Sequence, residues 1–134
     1  MGDMPLPSIV RPHESLARYL TQSNHYRTQD YSVKAKAFEP PSDLRLSVFR
    51  VDGLAIEEVW ELGQSNVVDR MNQPRNLYGM ANIKASAVRD VGLDIDPDNI
   101  PPRHACLVGW PESKSEQMLI QHELAAKAHL VLRT

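Results

Sequence analysis

Arginine and histidine side chains at strand positions could hold an anion and move a proton, and this chain carries such residues in two places. Arg45 and Arg50 bracket the run Leu46-Ser-Val-Phe49, and Arg103-His104 opens a second run, Ala105-Cys-Leu-Val108, directly after Pro101-Pro102. A guanidinium presents a planar fork of donors that matches a carboxylate or phosphate, and an imidazole beside it can serve as general acid or base. The candidate set is therefore Arg45, Arg50 and Arg103 as anion holders with His104 as the proton carrier; Lys34 and Lys36 lie nearby in sequence. Trp110, between Gly109 and Pro111, is a candidate ligand wall or partner anchor, or else a plug for the core. The competing reading is that Arg and Lys merely solvate an exposed sheet face.

Other chemistries fail on spacing. His122-Glu123 begins like a zinc-protease helix, but Ala126 stands where the second histidine belongs. His129 is about two turns, roughly 10 Å, further along a helix, too far to share one ion. Asp94, Asp96 and Asp98 imitate the opening of a calcium loop, yet Asn99 replaces its glycine, Ala105 its closing glutamate, and Pro97 stiffens it. The glycines are isolated, so no loop cradles a phosphate. No serine sits in a nucleophile elbow, and no Ser-His-Asp order is distinctive. The single Cys106 excludes an internal disulfide and a CxxC site, and its apolar neighbours read it as a small buried hydrophobe. No metal site and no cofactor are expected.

These residues need elements to position them. Tyr31–Phe38 alternates like a strand, Glu39-Pro-Pro-Ser-Asp43 breaks it, and Leu44–Arg50 alternates again, which together predict an antiparallel pair. His104–Trp110, apolar and bounded by prolines, is the strongest strand. Leu77–Ile83 and Leu93–Asp96 read as further short strands. Helices are expected from His13 or Glu14 to Leu20, with Leu16, Tyr19 and Leu20 on one face, and from Ala55 to Leu62, acidic at its start. A short helix over Ser86–Val91 should stop at Gly92, and a long C-terminal helix over 113–132 should start from a Ser113/Glu116 cap or from Ser115 in its place. The sum is an α+β fold: a small, mostly antiparallel sheet covered by helices, with the two proline-bounded ribbons in one layer and helices on one side.

Residues 1–12 hold three prolines and no period and read as a flexible or draped arm, leaving 13–134 as a single domain. A chain of 134 residues that is 42% hydrophobic and 24% charged can bury a real core. Its formal net charge of −2 gives no electrostatic footprint for nucleic acid, and nucleic-acid binding is not expected. No apolar run approaches the roughly 18 residues needed to cross a bilayer, so no membrane partner is expected. The first residues lack the pattern of a signal peptide, and Leu6 breaks the myristoylation pattern after Gly2. A soluble, cytoplasmic protein is the expectation.

The elements Lys36-Ala-Phe-Glu-Pro40, Leu46-Ser-Val-Phe-Arg50, Leu77-Tyr-Gly79 and His104-Ala-Cys-Leu-Val-Gly-Trp-Pro111 resemble those of a set of small uncharacterised bacterial proteins, over residues 25 to 131. The resemblance implies a free-standing bacterial protein and brings no established activity with it. It marks Phe38, Ser47, Arg50 and His104 as positions to watch. Two functional expectations follow. The first is an accessory protein that binds another protein or pairs as a homodimer, through the acidic helix (Glu57, Glu58, Glu61), Trp110 or the C-terminal helix. The second is a small enzyme or binding domain for a phosphorylated or nucleotide-like ligand, held by Arg45 and Arg50 beside His104.

Overall fold

The computed structural model describes residues 6–134; the first five residues of the expected N-terminal arm lie outside them. The strands are β1 (Ser15–Leu20), β2 (Tyr26–Arg27), β3 (Ser32–Val33), β4 (Leu46–Arg50), β5 (Gly79–Lys84), β6 (Asp94–Asp96), β7 (His104–Val108) and β8 (His129–Leu132). The helices are α1 (Ile56–Asn66), α2 (Ala85–Asp90) and α3 (Lys114–Lys127). Six strands form one antiparallel sheet in the order β6-β7-β4-β1-β5-β8, and β2 and β3 make a separate two-stranded ribbon. The expected α+β class holds, with a mostly antiparallel sheet and a long helix near the C-terminus.

The sheet is covered on both faces, not on one. Leu16, Leu20, Leu46, Val48, Ala81, Ile83, Ala105, Leu107 and Leu130 face one way and pack with Phe38, Val88, Trp110 and Leu124, which brings α2 and α3 onto that side. Ala17, Tyr19, Phe49, Val51 and Met80 face the other way and meet Val59 of α1, with Val68 and Leu77 beside it. This two-sided burial explains the misreading of β1 as a helix. A strand buried on both faces loses its polar alternation, and Leu16, Tyr19 and Leu20 then fit a helical spacing equally well. β1 is in fact the central strand, paired with β5 along its whole length and with β4 at Leu16↔Arg50 and Ala17↔Phe49.

Two other elements differ from expectation. Tyr31–Phe38 is not a strand of the main sheet: only Ser32–Val33 is extended, and Ala35–Phe38 winds into a 3-10 turn that buries Ala37 and Phe38. Burial of Phe38 outweighs the weak alternation of an Ala/Lys segment with little β-branching. The last helix stops at Lys127, and His129–Leu132 crosses back as edge strand β8 beside β5. No glycine or proline marks that stop. The caps follow the expected chemistry: the Ser113 hydroxyl accepts from the Glu116 N–H at 3.4 Å, and Glu58 reaches back to the Ala55 N–H at 3.0 Å. Gly92 takes φ +90° just past α2, a conformation that favours glycine.

α1 is held by Tyr19 and by Arg133, whose Nη1 donates to Gln64 Oε1 at 3.0 Å. The Tyr19 hydroxyl donates to the Val59 carbonyl at 2.6 Å, and the Tyr19 ring lies so close to Gly63 that a Cβ there would meet ring carbons at 2.5 to 2.9 Å. Glycine at 63 lets the helix approach the ring closely, and α1 ends three residues later, at Asn66.

Candidate active site

Where α1 ends, the same face of β4 and β7 turns polar. The register pairs Phe49 with His104 and Ser47 with Cys106, so all four side chains share that face. Ser47 is exposed between the buried Leu46 and Val48, and Cys106 is buried. His104 opens β7, and the loop before it folds back over it: the Asn99 N–H donates to the His104 carbonyl at 2.8 Å and the His104 N–H to the Pro101 carbonyl at 3.0 Å. Asn99 (φ 53°) and Arg103 (φ 74°) take left-handed conformations that close this turn.

The loop delivers Asp98 to the imidazole. His104 Nδ1 lies 2.7 Å from Asp98 Oδ1, and His104 Nε2 lies 3.0 Å from Ser47 Oγ. The carboxylate selects the tautomer with the proton on Nδ1, which leaves Nε2 free to accept from the serine hydroxyl. The Phe49 ring meets the imidazole edge-on at 5.3 Å between centroids, and the Tyr19 ring packs tilted against Phe49 at 5.8 Å. This is a serine, a base and an orienting carboxylate in line, the arrangement that activates a hydroxyl as a nucleophile.

Ser47 and His104 open on a cavity of about 250 Å³, also lined by Ala17, Arg18, Tyr19, Phe49, Asn66, Val67 and Pro101. That is slightly under the usual range of about 300–1,000 Å³ for small-molecule sites, so the fitting ligand is small. Arg18 supplies its charge. The β1–β4 ladder ends at Ala17↔Phe49, and the Arg18 side chain reaches the Ala37 carbonyl through Nε (2.9 Å) and the Ser47 carbonyl through Nη1 (3.0 Å). Among the described residues no carboxylate pairs with Arg18, and Nη2 has no partner. Burial pushes its pKa down to about 10, which still leaves the guanidinium charged at neutral pH.

The residues expected from sequence divide sharply. His104 lines the cavity; Arg45, Arg50, Arg103 and Trp110 do not. Arg50 lies on the opposite face with Leu46 and Val48, 1% exposed, and forms a two-pronged pair with Glu14 at 2.9 Å on both oxygens. It also donates to the Pro7 carbonyl at 2.6 Å, which holds the described part of the N-terminal arm against the sheet. Burial disfavours the Glu14 charge, but the Arg50 hydrogen bonds and charge and the Arg11 N–H outweigh it and hold that carboxyl below its ordinary value. Arg103 donates to the Arg50 carbonyl at 2.9 Å and staples the loop to β4. Arg45 pairs with Asp96 at 2.6 Å on the surface. Trp110 is buried, with its indole N–H on the Leu107 carbonyl at 3.0 Å. Lys34 borders a separate groove, with His122 and His129, between β3 and α3.

Ser47, Asp98 and Arg18 are the site residues that sequence reasoning did not assign. Ser47 had a signal, as a lone hydroxyl facing outward from an otherwise apolar strand and as a position marked by the resemblance. Asp98 belongs to the run that fails as a calcium loop, and Arg18 lies in a segment whose apolar spacing fits a helix. Comparison of the chain with protein-family models, with curated proteins and with solved structures found no match in any of the three. No helix among the described residues is long and apolar enough to cross a membrane.

Proposed function

We propose that the protein is a small enzyme that hydrolyses esters of small anionic molecules, with Ser47 as nucleophile, His104 as general base and acid, and Asp98 as the group that orients His104. One observation carries this reading: the Ser47–His104–Asp98 line opens on a cavity whose wall holds Arg18, a cation that no carboxylate among the described residues pairs with. Ser47 Oγ attacks the ester carbonyl while His104 Nε2 takes its proton, then passes that proton to the departing alcohol. Water, activated by the same nitrogen, releases the acid and restores the serine. Arg18 Nη2 holds the substrate's anionic group. The ligand remains an anion, as the sequence suggested, but its cation moves from Arg45 and Arg50 to Arg18.

The test is hydrolysis of the p-nitrophenyl monoester of succinate against that of acetate. The reading expects faster turnover of the anionic ester and loss of activity in Ser47→Ala and in His104→Ala. Arg18→Gln should raise KM for the succinyl ester with little effect on the acetyl one. Equal rates for the parent protein and Ser47→Ala would overturn it.

A second reading keeps the protein-binding role, supported by the exposed Met118 and Leu119 on α3, the latter 65% exposed. Pairing of two copies through this face should appear in light scattering as a dimer that Leu119→Lys dissociates. A monomer at every concentration would remove the homodimer.

A further inference from the structure

Behind Ser47, the same face of β7 gathers three donors of different chemistry. Cys106 follows His104 by two residues and so points the same way. The Asp98 carboxylate, a ring nitrogen of His104 and Cys106 Sγ all lie within 4.8 Å of one another, and Nδ1 is the nitrogen that faces Asp98, at 2.7 Å. Around a four-coordinate ion with bonds of about 2.0–2.3 Å, neighbouring donors sit roughly 3.5 Å apart, so a modest side-chain rotation closes the set. We infer that Asp98, His104 and Cys106 form a binding site for one transition-metal ion of the zinc class.

The donor set selects the ion. Imidazole, carboxylate and thiolate together suit borderline ions such as Zn²⁺ or Co²⁺, whereas calcium and magnesium take oxygen ligands. Three protein donors leave a fourth position, and Asp98, 36% exposed along its side chain, sets it near solvent. A partner for the distal imidazole nitrogen is already in place. With the ion on Nδ1, Nε2 carries the proton and donates to Ser47 Oγ, the kind of outer contact that fixes a metal-bound imidazole. The carboxylate and the thiolate balance the ion's two charges, and Arg45, paired with Asp96 at 2.6 Å, lies next to Cys106. Burial raises the Cys106 thiol above its ordinary value, so the ion must displace its proton.

This inference stands apart from the esterase reading. The ion takes the nitrogen whose proton Asp98 holds in the catalytic line, so loading the site reverses the tautomer and turns the serine off. The experiment is titration of the full chain with Co²⁺, followed by near-ultraviolet and visible absorption. A thiolate-to-cobalt charge-transfer band should saturate at one ion per chain, disappear on adding Zn²⁺, and be absent in Cys106→Ser. Because Cys106 is buried, two exposed positions give a second reading: Asp98→Asn should weaken binding, and Ser47→Ala should weaken it about 10–100-fold. No thiolate band, or a band unchanged in Cys106→Ser or in Asp98→Asn, would overturn the site. Esterase activity does not enter any of these readouts, so loss of the esterase reading would leave the metal result untouched.

Discussion

The two faces of the main sheet use the same strands for opposite purposes. On one face β4 and β7 contribute Leu46, Val48, Ala105 and Leu107 to a core covered by α2, α3 and the Phe38 turn. On the other face the same strands contribute Ser47, Phe49, His104 and Cys106, and the single covering helix α1 ends at Asn66 before it hides them all. On the face under α2 and α3 the buried Arg50 is matched by Glu14 and by carbonyl oxygens. At the edge of the other cover Ser47 stands exposed, and Arg18, which leaves β1 on the Leu16 side and reaches the Ser47 carbonyl through the gap between β1 and β4, has no carboxylate among the described residues. A site arises here where a covering element runs out over a strand pair whose inward residues already guarantee the fold.

The strongest way to break this contrast is to attack the matched pair. Glu14→Ala or Arg50→Ala leaves a buried charge alone and should cost about 3–5 kcal/mol of stability in urea unfolding, whereas replacing both with apolar residues should recover much of it. The same pair predicts an acid limb. The Glu14 carboxyl titrates below its ordinary 4.5 when folded, so its contribution is complete above pH 4.5 and fades as pH falls through the folded value. Glu14→Gln should flatten that limb. A stability profile unchanged by any of these substitutions would show that Arg50 is not the buried anchor described.

A smaller effect sharpens the other half. Gly63→Ala forces a methyl group against the Tyr19 ring and should cost about 1–3 kcal/mol. It should also shift Asn66 and Val67, which wall the cavity, and so alter KM for the anionic ester more than kcat. An unchanged KM would separate α1 from the site.

Parts of this architecture were legible from residue order. β4 announced itself by alternation after Pro40-Pro41, β7 by an apolar run between prolines, α1 by its acidic start, and α3 by its serine cap. β1 was hidden because a strand covered on both sides has no polar phase to betray it. β8 was hidden because Ala128 and Leu130 continue a helical pattern across a stop that nothing punctuates. The site itself was half visible. His104 stood out, but strand parity sends Arg50 to the face opposite Phe49 and its partner His104, so that arginine belongs to the core. Asp98 meets His104 only because the loop of residues 97–103 closes on itself, and Arg18 reaches Ser47 only because β1 and β4 part company after Ala17. Neither event is written in local spacing.

The central claim is that His104, aligned by Asp98, activates Ser47. A fluorophosphonate probe tests it directly, with the modified residue located by peptide mass spectrometry. The account predicts one adduct per chain on Ser47, lost in His104→Ala and slowed in Asp98→Asn while the variants stay folded. An unlabelled Ser47, or labelling at the same rate without His104, would contradict it.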